Sequence, residues 1–354
     1  MYSSRRGTAG INRKLNKHAS TILICGIFLF FSGILYLSLC KMPCEDTDAV
    51  LDAEETRLGE ADDEAIQANW PLWDFPKPQG KLKAFLVILV MSSPDGIQRR
   101  DAIRETWLSE HPDDIQPFFV IGSGNLTPKQ IKHLAHENDH EHDLLLLRNV
   151  NDSYFALTSK LLESIVWLDK HVDYKFVMKA DDDTFARLDV IVPELREKEP
   201  KRLYWGFFDG RAKVKQTGQW AEKSWVLCDT YLPHARGGGY FLSSDLAHYV
   251  SIGAKFLKKF NSEDISMGAW LSAVEVNRVH DPRFDTEYMS RGCFNAYIVT
   301  HKQGIADMKA KHKRLQESKG TRMCENEVRV RLSYNYNWNV PPSKCCIRND
   351  SNVL

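Results

Sequence analysis

Three aspartates stand side by side in FVMKADDDTF, residues 176–185, directly after an apolar run. If strand geometry continues through them, Asp181 and Asp183 share a face and Asp182 points the other way. Two carboxylates aimed together suit a divalent cation such as Mg or Mn, whose other ligands are phosphate oxygens and water. The same letters also suit a solvated acidic turn, or a helix start capped by Asp183. Four further stretches carry related chemistry. RRDAIRETW, residues 99–107, places Arg99, Arg100 and Arg104 near a helix start, where cations and free amides can meet an anion; the plainer reading is a charged helix face. GGGYFLSSDL, from Gly237, includes Gly238 and Gly239, which either admit a ligand close to the backbone or form a flexible turn. In NSEDISMGAWL, Glu263 and Asp264 open an apolar helical stretch, where a carboxylate serves as general base or simply as a cap. His301 in YIVTHK follows a short apolar strand and offers a nitrogen to a transition metal, or is an ordinary surface or core histidine.

The elements that must hold these residues follow from hydrophobic period. From residue 82 onward, short apolar runs alternate with helical stretches: LKAFLVILV then RRDAIRETWLSE, PFFVIGS then PKQIKHLAHENDHEH, DLLLLRNV then FALTSKLLESIVWLDKHV, YKFVMKADDD then LDVIVPELREKE. Serial strand–helix units predict an α/β domain with a mostly parallel sheet, because parallel neighbours need a crossover between them. In LLESIVWLDKHV, Leu161, Leu162, Ile165, Val166 and Leu168 share one helical face while Glu163, Asp169 and Lys170 face water. Open α/β sheets bind ligands beyond the carboxyl ends of their strands, and the aspartates sit at such an end. Beyond residue 200 the chain is richer in Gly, Trp, Tyr and Arg, which predicts that this half shapes the acceptor side of a site.

The whole chain narrows the function classes. With 354 residues and 43% hydrophobic content there is ample core material, so disorder throughout is excluded. Lys and Arg number 47 against 47 Asp and Glu, so nothing in the global charge favours nucleic acid as a partner. Residues 21–40, TILICGIFLFFSGILYLSLC, carry no Asp, Glu, Lys, Arg or His and are about the ~20 needed to span hydrocarbon as a helix. Arg5, Arg6, Arg13, Lys14 and Lys17 precede them without an acid, which predicts a cytosolic tail at 1–20 and a single-pass type II signal-anchor. A cleaved signal peptide is the competing reading, with a shorter apolar core and a small-x-small site that is not seen here. Ten acids from Glu45 to Glu64 then read as a solvated stem, 41–80, ahead of a folded lumenal domain at 81–354. Cys228, Cys293, Cys324, Cys345 and Cys346 fall in that domain, so at most two bridges form within it, with connectivity open. Asn125, Asn151 and Asn349 head glycosylation sequons, and Pro128 directly follows the first.

RRDAIRETW, DSYFALTSK at 152–160, FVMKADDDTF, YWGF, YLPHARGGGYFLSSDL and SEDISMGAWL, in that order, resemble the β1,3-glycosyltransferase family of β1,3-galactosyltransferases, β1,3-N-acetylglucosaminyltransferases and fringe. The likeness runs from about residue 82 to the C-terminus. KADDD-x-FARLD, RLYWGFF-x-GR, HDPRFDTEY-x-SRGC-x-N-x-Y, VTHKQ and PPS-x-CC resemble in particular the branch that builds the proteoglycan linkage region. One position departs, since Ala156 stands where the family usually has Asn. The resemblance implies a Golgi membrane enzyme with a GT-A nucleotide-sugar transferase fold, using UDP-galactose and Mn²⁺ to add β1,3-galactose to Galβ1,4-xylosyl-serine of a proteoglycan core protein. It further implies Asp183 as direct metal ligand, Asp181 toward ribose or a metal-bound water, His301 as second protein ligand, and Asp264 as general base. Association with other linkage-region enzymes, or a dimer, also belongs to that implication. An N-acetylglucosamine donor, or a non-catalytic relative that binds glycoprotein clients, are the other readings kept open.

Overall fold

In the computed structural model, which describes residues 81–348, the first apolar run forms β1 (Leu82–Met91). Its residues Leu86–Val90 are fully buried, as expected of a strand covered on both faces. It pairs in parallel with both β2 (Ile115–Gly122) and β4 (Val172–Asp181), and β2 pairs in parallel with β3 (Leu144–Leu147). The crossovers are α1 (Ile97–Arg104), α2 (Pro128–Glu141) and α3 (Leu157–His171), after a short 3₁₀ turn at Tyr154–Ala156. The serial strand–helix pattern thus places four parallel strands. On α3, Leu161, Leu162, Ile165 and Leu168 are buried and Val166 is half-buried, so the apolar face lies where the period put it.

Two local differences have plain causes. The helix expected to run from Arg99 through Glu110 begins at Ile97 and stops at Arg104. There the Thr106 hydroxyl bonds the Ala102 carbonyl and the chain turns, with Trp107 and Leu108 buried. The second half of the chain does not extend the parallel series. After β5 (Phe185–Ala186), α4 (Leu188–Arg196) and β6 (Leu203–Asp209), strand β7 (His234–Ser243) inserts antiparallel between β4 and β6. With β8 (Asn277–His280) beside β6, the order is β3-β2-β1-β4-β7-β6-β8, a mixed sheet that remains mostly parallel. Helices α5 (Ser244–Ile252) and α6 (Glu263–Trp270) follow β7.

A second, three-stranded sheet is small but decisive for the site. β9 (Phe284–Asp285), a two-residue β10 (Gly292–Cys293) and β11 (Val299–Thr300) follow β8, and β11 lies between β5 and β9. β5 comes directly after the aspartates and β11 directly before His301, so this pairing brings two distant segments together. Helix α7 (Ile305–Glu317) follows, and β12 (Val328–Arg329) pairs with β10. Among the described residues, Cys293 bonds Cys324, Cys345 bonds the adjacent Cys346, and Cys228 is an exposed free thiol. The proposed tail, membrane span and stem lie outside the described residues, and no helix within them is long and apolar enough to cross a membrane. Asn349 is also outside them.

Candidate active site

β4 ends at Asp181, and the chain then turns, with the Thr184 amide bonded to the Asp181 carbonyl. Strand alternation therefore does not apply to all three aspartates. Asp181 and Asp183 nevertheless converge, because His301 stands between them: its Nε2 is 3.2 Å from Asp181 Oδ2 and 2.9 Å from Asp183 Oδ1. One ligand atom from each of the three lies within 4.8 Å of the others. The Gln303 amide donates to the Asp183 carbonyl and the His301 amide to that of Asp285, which locks the two segments in register.

A divalent cation fits this cluster on its own chemistry. The donor set is two carboxylates and an imidazole, and the buried Asp183 Oδ1 has no neighbour nearer than the His301 Nε2 at 2.9 Å to satisfy it. Burial opposes charge on Asp181, but Lys179 and His301 outweigh it and hold that carboxyl below the usual range. Burial likewise opposes charge on His301, and its two carboxylate neighbours push the imidazole up to about 9. Asp182 differs from expectation: it faces the same pocket, with Arg99 Nε 4.0 Å away, and burial followed by its acidic neighbours raises it to about 6 against the pull of Arg99.

The pocket has a volume of about 680 Å³ and runs from the three aspartates and His301 to Ser92, Arg99 and Tyr154. Of the three arginines, Arg99 alone lines it. Arg100 is fully buried beneath α1, bidentate to Glu137 at 2.7 Å and bonded to Ser92 Oγ and the Ser93 carbonyl. Arg104 is spent on Asp143, Glu137 and Asp101. Their donors are consumed inside the protein, so the reading of both as anion-binding residues is corrected. At Gly238 and Gly239 the structure shows close packing of the protein on itself. A Cβ on Gly238 would stand 2.5 Å from His301 Cγ, and one on Gly239 would stand 2.9 Å from Val299 Cγ1. These glycines let β7 pass close behind His301 and β11.

Asp264 opens α6 across the end of β7. Its Oδ2 accepts the Gly237 amide at 3.0 Å and its Oδ1 the Ile265 amide at 2.8 Å. One lysine ties this end to the aspartates: buried Lys179 reaches Asp181 Oδ1 at 2.6 Å, the Gly237 carbonyl at 2.5 Å, and Glu263 Oε1. Burial opposes charge on Lys179, and Asp181 and Glu263 more than compensate. A single ammonium cannot neutralise all the acids around it, so burial, with Asp264 and Asp181, raises Glu263 to about 8 despite Lys179. Sequence reasoning also passed over Lys160. It sits buried with its ammonium on the Ser92 carbonyl and Asp152, holding the loop that carries Tyr154 against β1. The signal was present, since Lys179 begins KADDD and Lys160 ends DSYFALTSK, but a buried lysine needs partners that only the fold displays.

With this geometry in place, comparison with known proteins decides the family. Residues 98–282 match the family described as Galactosyltransferase. Mouse beta-1,3-galactosyltransferase 6 is 50% identical over 277 residues, spanning 76% of this chain and 85% of that protein. The chain is a member of the galactosyltransferase family. Arabidopsis thaliana beta-1,3-galactosyltransferase GALT1 is 31% identical to this galactosyltransferase over 258 residues, 68% of this chain but 38% of the plant protein. A Xenopus laevis UDP-GalNAc:beta-1,3-N-acetylgalactosaminyltransferase 2 is 28% identical over 239 residues, covering 60% of this chain and 49% of that protein. A crystal structure of galactosyltransferase LgtC with donor and acceptor sugar analogs superimposes at a TM-score of 0.33 and 14% identity over 68% of this chain and 97% of that one, too distant to carry an argument.

Proposed function

We propose that this galactosyltransferase moves galactose from UDP-galactose, in β1,3 linkage, to the galactose of Galβ1,4-xylose on serine of proteoglycan core proteins, with inversion and with Mn²⁺ as its ion. The observation that carries the reading is the Asp181–Asp183–His301 cluster at one end of the 680 Å³ pocket, with Asp264 tied to the same strand end through Gly237. Half identity to a beta-1,3-galactosyltransferase supports the linkage type. In this reading the domain is of the GT-A kind and sits in the Golgi lumen behind the 21–40 anchor and the stem. When bound, the ion would be held by Asp181, Asp183 and His301 and would stabilise negative charge on the departing diphosphate.

The remaining chemistry falls to side chains of this chain. UDP-galactose is α-linked and the product β-linked, so one displacement suffices, with no covalent enzyme intermediate. The Asp264 carboxylate takes the proton of the acceptor 3-hydroxyl as its oxygen attacks the anomeric carbon. The amides of Gly237 and Ile265 fix the direction of that carboxylate, and Lys179 sets its distance from Asp181 by joining Glu263 to the metal side. Arg99 is placed to meet the diphosphate, the developing charge in such a step. The test is transfer by the purified chain from UDP-galactose to a Galβ1,4-xyloside with Mn²⁺, with UDP-N-acetylglucosamine and other galactosides in parallel. Linkage-region activity predicts product in the first arm. Transfer from the other donor, or only to another acceptor, would replace the specificity, and no turnover with any pair would favour a glycan-binding, non-catalytic relative.

A further inference from the structure

Beside the pocket, on the side of Asp264, an aromatic group remains half-exposed although the chain has fastened it in place. Trp220 is 44% exposed, Tyr154 47% and Phe155 69%. Trp220 comes from a distant segment, yet its side chain lies beside the Tyr154 hydroxyl, and Tyr154 meets its neighbour Phe155 edge-on with ring centroids 5.9 Å apart. Tyr154 also lines the pocket of the aspartates. Exposed aromatics on a loose loop would mean little. Here the Asn261 side-chain amide donates to the carbonyls of Gln219 and Ala221, on either side of Trp220, while the Asn261 backbone amide is held by the buried carboxylate of Glu222. A satellite core of Trp225, Tyr231, Phe260 and Ile265 packs the same loop against the start of α6, and Ile265 adjoins Asp264. Thr158, on the helix behind Tyr154, bonds the Phe260 carbonyl at 2.7 Å. Both halves of the group are thus anchored to the short segment that carries Asp264.

We infer that Trp220, with Tyr154 and Phe155 beside it, provides a stacking platform for the pyranose ring of the acceptor, with Asn261 as the residue that positions it. The inference rests on the function proposed above and specifies its acceptor side. Galactose suits such a surface: its axial 4-hydroxyl leaves the opposite face as a run of C–H groups, and aromatic rings bury that face while the ring edge, with its 3-hydroxyl, stays free for Asp264. Trp220 and Phe155 do not line the pocket of Asp181, Asp183 and His301, and Tyr154 joins the two surfaces.

The experiment uses the full chain and measures KM for UDP-galactose and for a Galβ1,4-xyloside separately, with thermal stability alongside. Trp220→Ala should raise acceptor KM about tenfold, the scale of one lost aromatic contact, and leave donor KM and Tm unchanged. Trp220→Phe should recover most of that affinity, and Asn261→Ala should reproduce the defect without removing a ring. An unchanged acceptor KM in Trp220→Ala would overturn the platform, as would donor and acceptor KM rising together with a fall in Tm. Saturation-transfer NMR of the xyloside reads binding without turnover. A wild-type chain that binds the xyloside but does not transfer to it counts against the proposed function alone, and loss or retention of binding in Trp220→Ala then still decides the platform. A wild-type chain that neither binds nor transfers overturns it.

Discussion

A lone carboxylate can be a cap, a metal ligand or a base, and at the residue scale its neighbours decide which. Asp264 is held by two backbone amides and touches none of the metal-cluster atoms, whereas Asp183 presents a buried oxygen with no hydrogen bond. Their substitutions should therefore separate. In the proposed reaction, Asp264→Asn is expected to keep metal-dependent UDP binding and lose at least about a hundredfold in kcat, while Asp183→Ala weakens that binding itself. Calorimetry of UDP binding beside kcat measurement checks this, and near-wild-type turnover in Asp264→Asn would remove it as base. Arg100 makes the opposite case, a charged residue of a site-like motif that works only in the interior. Arg100→Met strands Glu137 with one guanidinium in place of two and should cost about 3 kcal/mol of stability, seen in denaturant melts, with donor KM little changed.

At the scale of elements, the site depends on how β7 and the segments after β8 are seated. His280, at the end of β8, accepts the Phe208 amide at Nδ1 and faces the Tyr334 carbonyl with Nε2, so it joins the sheet edge to the C-terminal segment as a neutral imidazole. Burial is the main reason its pKa falls to about 4 from 6.5, despite the Tyr334 contact. The folded pKa is depressed, so the stabilisation is fully present above pH 6.5 and is lost as the pH falls from 6.5 toward about 4. The loss should be on the order of 3 kcal/mol, visible as a falling Tm across that window. His280→Gln is expected to flatten the profile there. An equally steep profile in the variant would assign the acid sensitivity to other groups.

For the whole molecule, long-range closure matters more than any single strand. The Cys293–Cys324 bridge spans 31 positions and encloses β11, His301 and α7, and Asn295 Oδ1 accepts the amides of Met323 and Cys324 beside it. Replacing both cysteines by serine should cost about 3 kcal/mol through the freer unfolded chain. Because His301 lies inside the closed loop, the same variant should need more of the proposed Mn²⁺ for half-maximal activity, and a metal titration at a temperature well below its Tm separates this from unfolding. If the Mn²⁺ requirement stayed constant, the bridge would be holding the fold without tuning the site.

The sequence by itself determined the α/β class, the four parallel strands and their order of crossover helices, because apolar period and strand length are local properties of the chain. It also singled out Asp181, Asp183, Asp264 and His301 as groups with chemistry to offer. It did not determine where β7 sits, since an antiparallel insertion between β4 and β6 leaves no mark in local periodicity. Nor could it tell Arg99 from Arg100 and Arg104, whose difference is a matter of which donors find Glu137 and Asp143 in three dimensions. The glycines 238 and 239 read as room for a ligand until the fold filled that room with His301 and Val299. Period and residue type survive in one dimension, but the partner that satisfies a buried charge is chosen only when the chain closes on itself.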